Sequence, residues 1–464
     1  MKQHSRITRR GFIKSIAAAG TGACALQILP SGAWGAANEK LNVALFACGG
    51  RMRQILGSIV RGGANVVAVC DVDSRQVDRL KKESAKLGAA GASVETAKVY
   101  EDYRKLLDAE KSVDAVVVAA GQRWHTPMCK AAMLAGKHVF CEKPMSHSCA
   151  EAREIRELGR QTKLATQLGS QGGATDTFRR SMEVIQAGLL GQIREVHCWI
   201  NRTFRPSEPV DMNADPIPDG LNWDFWCGPS QVLPFKRYYL GGCLAWGRWI
   251  EFGDGHLGDM GAHGLNLPWR ALKLTAPVKA SVTSAEPLKD SYPSANSFRW
   301  DFEARPGMDP VSVWWHDGPK AGPPEEPAKE LISTYKRVPG DGVLFIGEKG
   351  MLLSNAWGVG GVVKMKDENR FRGVLDHEAC KGVEVTIPRF KGQDHMREWL
   401  EAAKGNGKTF QPFATAACIA EIAMVGMVAL RIGKRIEWDS DALKVKGMPE
   451  AEPLVMRPQR KNWL

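Results

Sequence analysis

The sequence predicts an α/β protein of two parts. An N-terminal doubly wound parallel sheet comes first, then an α+β domain built on a mostly antiparallel open sheet. Three observations carry this expectation. Up to about Lys163, short β-branched apolar runs such as Val66–Cys70 and Val116–Val118 alternate with amphipathic segments of helical spacing. Runs that are apolar on both faces suit central parallel strands covered by helices. Beyond Lys163, strand-like segments follow one another without long intervening helices, as in an antiparallel sheet. At 464 residues the chain also exceeds one ordinary domain.

In chain order, Thr8-Arg9-Arg10-Gly11-Phe12-Ile13-Lys14 precedes a mildly apolar Ala/Gly-rich stretch from Ile16 to Leu29. This pattern resembles a twin-arginine export signal, and the stretch is too short and glycine-rich to be a stable membrane span. Ala33–Ala37 offers small-residue cleavage options, so residues 1–37 are expected to be removed and no membrane association is expected of the mature form. Thr21–Cys24 is a poor lipoprotein site because threonine stands where leucine is usual. Five of the basic residues lie in that leader, which carries no acid, so the formal charge of +12 falls to +7. The remaining cations are interspersed with acids, which argues against nucleic-acid binding. The eleven cysteines show no CxxC or Cys/His cluster, so no metal is expected. Cys48, Cys70, Cys129 and Cys141 fall in strands, turns and helices, where cysteine acts as a small hydrophobe.

The expected nucleotide-binding domain runs from 38 to 163. Leu41–Phe46 reads as its first strand and enters Ala47-Cys48-Gly49-Gly50-Arg51-Met52 and a helix to about Arg61. A dinucleotide fingerprint places glycines for the tight turn, for backbone approach to a pyrophosphate and for helix–strand packing. Here only the middle one, Gly49, stands in register, with Ala47 and Met52 in the outer places. Arg51 or Arg53 could supply charge to a diphosphate. The next strand ends at Asp71, whose carboxylate can accept both ribose hydroxyls and would repel a 2′-phosphate. NAD is therefore expected over NADP, with Arg75 the countervailing residue. Val113–Met145 is the central stretch: a buried strand, a turn with Gly121 and His125, a helix with Pro127 at its first position, and a strand His138–Cys141 delivering Glu142-Lys143-Pro144 to its tip. Ligands bind at such carboxyl-terminal tips, and Lys143 is there either a proton donor or acceptor or a plain surface lysine. The Ala150–Thr162 helix closes the domain.

The second domain is expected over 164–438 and a tail over 439–464. Strands are predicted at Ile193–Asn201, Val278–Ser284, Ser297–Ala304, Val311–His316, Val343–Ile346 and Gly350–Leu353, with helices near Asp394–Lys404 and Phe413–Gly433. Pro206–Gly220 and Pro319–Pro327 read as loops. In Gly253–Asn266, Asp259 and His263 stand four apart, on one face if helical. Glycine costs about 1 kcal/mol at each helix-interior position, so such a helix suits a place where something approaches its backbone. A carboxylate beside an imidazole can orient a histidine base, although this spacing is also common in surface pairs; His256 reads as structural.

The run AGKHV-FCEKP closely resembles the signature of the glucose–fructose oxidoreductase/inositol dehydrogenase/MocA (Gfo/Idh/MocA) family. GSQ at 169–171, GLLGQIREVH, WDFWCGP, DMGAHGLNLPWRAL, FIGEKGMLL, DHMREWLEA and PQRKNWL look like one exported branch of it. Ala47, Met52 and Gly121-Gln122 depart from the family pattern. The resemblance implies a Rossmann domain and hydride transfer between a nicotinamide and a carbon of a sugar or polyol. It implies Lys143, Asp259 and His263 as catalytic, with His263 the base, Asp259 orienting it and Lys143 stabilising the developing alkoxide or sharing the proton. Cys48, Gly49, Gly50, Arg51, Met52, Asp71, Arg75, His125, Glu142 and Lys143 are the expected cofactor contacts, and Gln171, Trp223 and Asn266 the expected substrate contacts. Asn266 stands where many relatives carry aspartate. A homodimer or homotetramer is expected through the exposed sheet face. An exported enzyme lacks a ready NAD(H) pool, so a tightly held NAD cycling within one turnover is expected. That cycle fits sugar oxidoreduction or an NAD-dependent glycosidase; a cofactor-free sugar-binding protein or scaffold is the reading from another class.

Overall fold

The computed structural model describes residues 40–202, 210–284 and 288–463. The expected export signal and part of the Pro206–Gly220 loop lie outside the described residues. Six parallel strands, β1 (Leu41–Phe46), β2 (Ala64–Cys70), β3 (Lys98–Tyr100), β4 (Ala115–Val118), β5 (His138–Cys141) and β6 (Thr166–Leu168), form the first sheet in the order β3-β2-β1-β4-β5-β6. β4 and β5 are buried at every position, which explains the unbroken apolar run of β4 and the Val139–Cys141 run of β5. The reversal between β2-β1 and β4 opens a crevice at the carboxyl ends of β1 and β4, the usual ligand place in such sheets.

The sheet extends past the expected boundary at Lys163, because β6 lies in the segment read as the start of the second domain. The helix after β4 runs Gln122–Leu134, so Pro127 sits inside it rather than at its first position.

The second sheet has ten strands: β7 (Ile193–Ile200), β8 (Lys279–Ser284), β9 (Asn296–Phe302), β10 (Val311–Asp317), β11 (Asp341–Gly347), β12 (Gly350–Ser354), β13 (Val362–Met365), β14 (Arg372–Gly373), β15 (Ile436–Asp439) and β16 (Lys444–Val445). Their order is β14-β13-β12-β11-β7-β10-β9-β8-β15-β16, and every pair is antiparallel except β7 with β10. β9 and β10 alternate buried and half-buried residues, one face in the core and one outward.

Chain order and domain order part company near the C-terminus. The His395–Ala403 helix places Met396, Trp399 and Leu400 in the core of the first domain. The Phe413–Ile432 helix is apolar and long enough to cross a membrane, but 83% of its most apolar window is buried in the protein. Its Phe413, Ala416, Ala417 and Ala420 pack with the first domain, and Ile419 and residues 422–425 and 427–430 with the second. Residues from 439 on are integrated too: β16 pairs with β15, and Trp463 packs edge-on to Trp124 and Phe225. A further helix, Glu325–Tyr335, begins within the stretch expected to be loop; Pro327 falls in its first turn, where no helical N–H is needed. The ten cysteines among the described residues are all unpaired.

Candidate active site

The cofactor end of the crevice begins with β1, which turns through Ala47 at a left-handed φ of 68° into the 12-residue helix Gly50–Arg61. Gly49, its N-cap, has φ −66°, ordinary for any residue, and a Cβ there would meet no protein atom within 4 Å. Neither strain nor packing asks for glycine. What glycine leaves is open backbone at a helix start without a side-chain cap, the arrangement that binds phosphate. Asp71, at the tip of β2, accepts from the backbone N–H of Cys48 at 2.6 Å and of Asp73 at 2.9 Å. Burial pushes its pKa up to about 6, against the pull of those N–H groups. These features fit a dinucleotide: the start of the helix for the diphosphate, Asp71 for a ribose, and the tips of β4 and β5 for the far end.

Several expected cofactor contacts are otherwise engaged. Met52 is fully buried, so its side chain is core and only its backbone borders the crevice. The N–H of Cys48 is taken by Asp71 and its thiol is buried. Arg51 is paired with Glu142, Nε to Oε1 at 2.9 Å, and Arg53 donates to the Cys48 carbonyl and to Gln76. Arg75 is held by Asp73 through two bonds of 2.7 Å, so it is not a free partner for a 2′-phosphate. His125 is buried with both ring nitrogens against the backbone carbonyls of Pro144 and Ala120; it supports the Lys143–Pro144 turn rather than presenting a nitrogen to a cofactor. Glu142 packs against Gly169, where a Cβ would come within 2.7 Å of its carboxyl carbon.

The chemical end lies where β5 meets the Gly255–Gly264 helix of the second domain. That helix is glycine-rich because protein, not ligand, crowds it. A Cβ at Gly264 would lie 2.7 Å from the Trp315 ring, and one at Gly258 2.4 Å from the Asp254 Cβ. This close docking brings Asp259 to the tip of β5. Lys143 Nζ donates to Asp259 Oδ1 at 2.6 Å and to the Asp259 carbonyl at 3.1 Å. Burial alone would lower the lysine pKa and raise that of the aspartate. Their mutual attraction outweighs it, raising Lys143 and lowering Asp259.

His263 is on the same helix, but Asp259 makes no hydrogen bond to it. Its Nδ1 lies 3.0 Å from Ser170 Oγ, and that hydroxyl donates its only proton to the Ala262 carbonyl at 2.7 Å. Ser170 must therefore accept from Nδ1–H, which leaves Nε2 unprotonated. Burial, then the Lys143 ammonium, pull the His263 pKa well below its ordinary value, so the ring is neutral near pH 7. Ser170 is the middle residue of GSQ at 169–171, and its contact with His263 has no signal in the spacing of that motif.

Of the expected substrate contacts, Gln171 lies at this end beside Ser170, with Oε1 buried and lacking a hydrogen-bond partner. The other two are structural. Trp223 stacks on Trp226 at 4.6 Å inside an aromatic cluster and donates Nε1–H to the Leu233 carbonyl. Asn266 is buried and accepts from Arg270 Nε at 2.8 Å. Trp357, unremarked in the sequence, stands with its ring centroid 5.8 Å from that of His263. No cluster of three or more metal-binding side chains occurs among the described residues.

A dinucleotide-binding domain whose strand tip carries Lys143 to an Asp259 and a His263 on a helix of the second domain is the architecture of a two-domain nicotinamide-dependent oxidoreductase. Residues 41–170 match the Gfo/Idh/MocA family, described as an oxidoreductase family with an NAD-binding Rossmann fold. A glycosyl hydrolase family 109 protein of Shewanella amazonensis is 33% identical over 34% of this chain and 38% of its own length. The inositol 2-dehydrogenase of Salmonella paratyphi B is 30% identical over 29% of this chain, again 38% of its own length. The chain thus matches well under half of these curated relatives. Solved structures extend the fold comparison to 86% of the chain. An Azotobacter vinelandii inositol dehydrogenase homologue complexed with NADH and myo-inositol superposes with TM-score 0.57 at 18% identity, covering 98% of that chain. A Caulobacter crescentus aldose–aldose oxidoreductase does so with TM-score 0.56 at 16% identity, covering all of it.

Proposed function

We propose that the protein oxidises a hydroxyl of a sugar, polyol or glycoside by hydride transfer to NAD, and that it holds the NAD tightly. The observation that carries this is the 2.6 Å Lys143–Asp259 pair beside a neutral His263 with a bare Nε2, at the tip of β5. When bound, NAD supplies a hydride acceptor at nicotinamide C4. His263 Nε2 takes the hydroxyl proton as the carbon gives up its hydride, so no oxocarbenium charge builds up and a carbonyl results. Lys143, kept an ammonium by Asp259, donates a hydrogen bond to the oxygen as it becomes alkoxide-like. Ser170 holds the productive imidazole tautomer, and Asp259 positions the lysine.

Retention of NAD is supported at the ribose end. The chain around Gly220 is stitched to the loop after Asp71: Ser74 N–H donates to the Gly220 carbonyl at 2.9 Å and Asn222 N–H to the Val72 carbonyl at 2.8 Å. The aromatic cluster of Trp223, Phe235, Tyr239 and Phe252 lies behind that seam. A retained cofactor suits an exported enzyme, and export through the twin-arginine route is part of this reading. So is a homodimer or homotetramer through the half-buried outer face of β9 and β10.

The family 109 relative favours a second use of the same site. Oxidation of a glycoside acidifies the C–H beside the new carbonyl. Loss of that proton expels the aglycone, water adds, and return of the hydride leaves no net redox change. The deciding experiment is mass spectrometry and absorbance of nucleotide released by denaturing freshly purified protein. Near-stoichiometric NAD or NADH is expected, with turnover of sugar pairs or glycosides without added cofactor. An empty protein that NAD does not stabilise would leave the cofactor-free sugar-binding reading.

A further inference from the structure

We propose that Arg202, Trp357 and Gln171 form the substrate wall of this site, and that the sugar they take carries an anionic substituent, a carboxylate or a sulfate ester. The proposal rests on the oxidoreductase reading and names its substrate class.

The three residues come from separate parts of the fold and converge on His263. Arg202 follows β7, is exposed, and places Nη1 4.0 Å from Sδ of Met260, the residue after Asp259. Its guanidinium carbon lies 5.9 Å from the Trp357 ring centroid, within cation–π range. Trp357, between β12 and β13, is half-buried and flanks the His263 ring at 44°. The turn at Gln171 closes on the same indole-bearing residue, because a Cβ at Gly172 would come within 2.0 Å of the Trp357 carbonyl oxygen. Beside that contact, Gln171 Oε1 is buried without a donor among the described residues. A half-exposed indole next to the base and an amide oxygen short of a donor suit a sugar ring and one of its hydroxyls.

Charge then selects among sugars. Lys143 is cancelled by Asp259, and Arg51 by Glu142. Burial keeps His263 uncharged and, against the pull of Asp259, lowers the His256 pKa to about 4. Arg202 is left as the wall's cation with no carboxylate paired to it among the described residues. A planar guanidinium at the edge of a stacking platform is suited to a two-point contact with a carboxylate or sulfate.

The test is titration calorimetry on NAD-saturated protein with glucose, glucuronate and glucose 6-sulfate, and with the galactose, galacturonate and galactose 6-sulfate set. At least one acidic sugar should bind tenfold or more tightly than its neutral parent, and the tighter of the two acids identifies the group. R202Q should bring that sugar to the neutral parent's affinity. W357A should weaken acidic and neutral sugars alike, and neither variant should alter NAD affinity. Equal binding of neutral parents, or a preference that survives R202Q, overturns the proposal while leaving the oxidoreductase reading intact. Protein that takes up no NAD sinks both.

Discussion

Ser170 Oγ lies 3.0 Å from His263 Nδ1 while its own proton goes to the Ala262 carbonyl, so a serine of the first domain decides which nitrogen of a second-domain histidine is bare. Replacing it frees the tautomer without touching substrate. S170A should lower kcat by about tenfold with KM little changed, and H263A by about 10²–10⁴-fold, the span of general-base catalysis. Steady-state kinetics on the first sugar found to turn over will check this. An S170A enzyme with full kcat would remove the serine's role.

The same geometry sets the pH profile. His263 must be neutral to accept a proton, and burial holds its pKa well below 6.5, so activity should be flat at and above that pH and fall only in more acid solution. The Lys143 pKa is raised above 10.5, so no loss of its ammonium is expected before strongly alkaline pH. A kcat profile with its acid limb centred at or above pH 7 would contradict the assignment.

Lys143 and Asp259 should stand or fall together. Taking away only the carboxylate, as in D259L, strands a buried ammonium and should destabilise the fold by about 3–5 kcal/mol. The double variant K143M/D259L replaces the pair by apolar groups and should recover most of that loss in urea denaturation while remaining inactive. A double variant no more stable than D259L would show that the pair is not coupled as drawn.

Asp71 links cofactor affinity to pH. Its carboxyl titrates near 6 in the fold and must be ionised to accept ribose hydroxyls, so NAD affinity should weaken as pH falls through about 6. The sign for stability is opposite: a folded pKa above the ordinary 3.8 means the cofactor-free fold gains from this group as pH is lowered from about 6 towards 4. D71N should flatten the pH dependence of NAD binding, as read by calorimetry between about pH 5 and about pH 7, roughly one unit on either side of the Asp71 titration.

Ala47 occupies a left-handed backbone position with φ 68°. A side chain there costs about 1–2 kcal/mol, partly offset in the substitution by the greater freedom of glycine in the unfolded chain. A47G should therefore raise stability by about 0.5–1 kcal/mol and leave NAD binding equal or tighter. A lower melting temperature would count against the strain.

Much of this was legible in the chain. β4 announces itself as an unbroken apolar run, which suits a strand covered on both faces, and Lys143 follows from the exit of β5. The glycine loop was readable at Gly49, where nothing but a ligand asks for the missing side chain. The reading went astray where a local pattern had two physical causes. The glycines of 255–264 suggested a ligand against the helix backbone, but the neighbours are Trp315 and Asp254. Trp223, expected as a substrate contact, is a cluster residue, whereas Trp357 gave no signal, because its nearness to His263 depends on a sheet connection far away in sequence.

Sequence alone determined the two-domain α/β architecture and the strand tips, since period, apolar runs and turn residues are local properties, while a family resemblance singled out Lys143, Asp259 and His263. Tertiary structure decided what each group is bonded to. Asp259 pairs with Lys143 and not with His263, Arg51 is spent on Glu142, and the segments after 394 return to build both domains. Those outcomes depend on which strand tip faces which helix at 3 Å, a distance that hydrophobic period cannot encode because hydrogen bonds are directional and short while burial is neither.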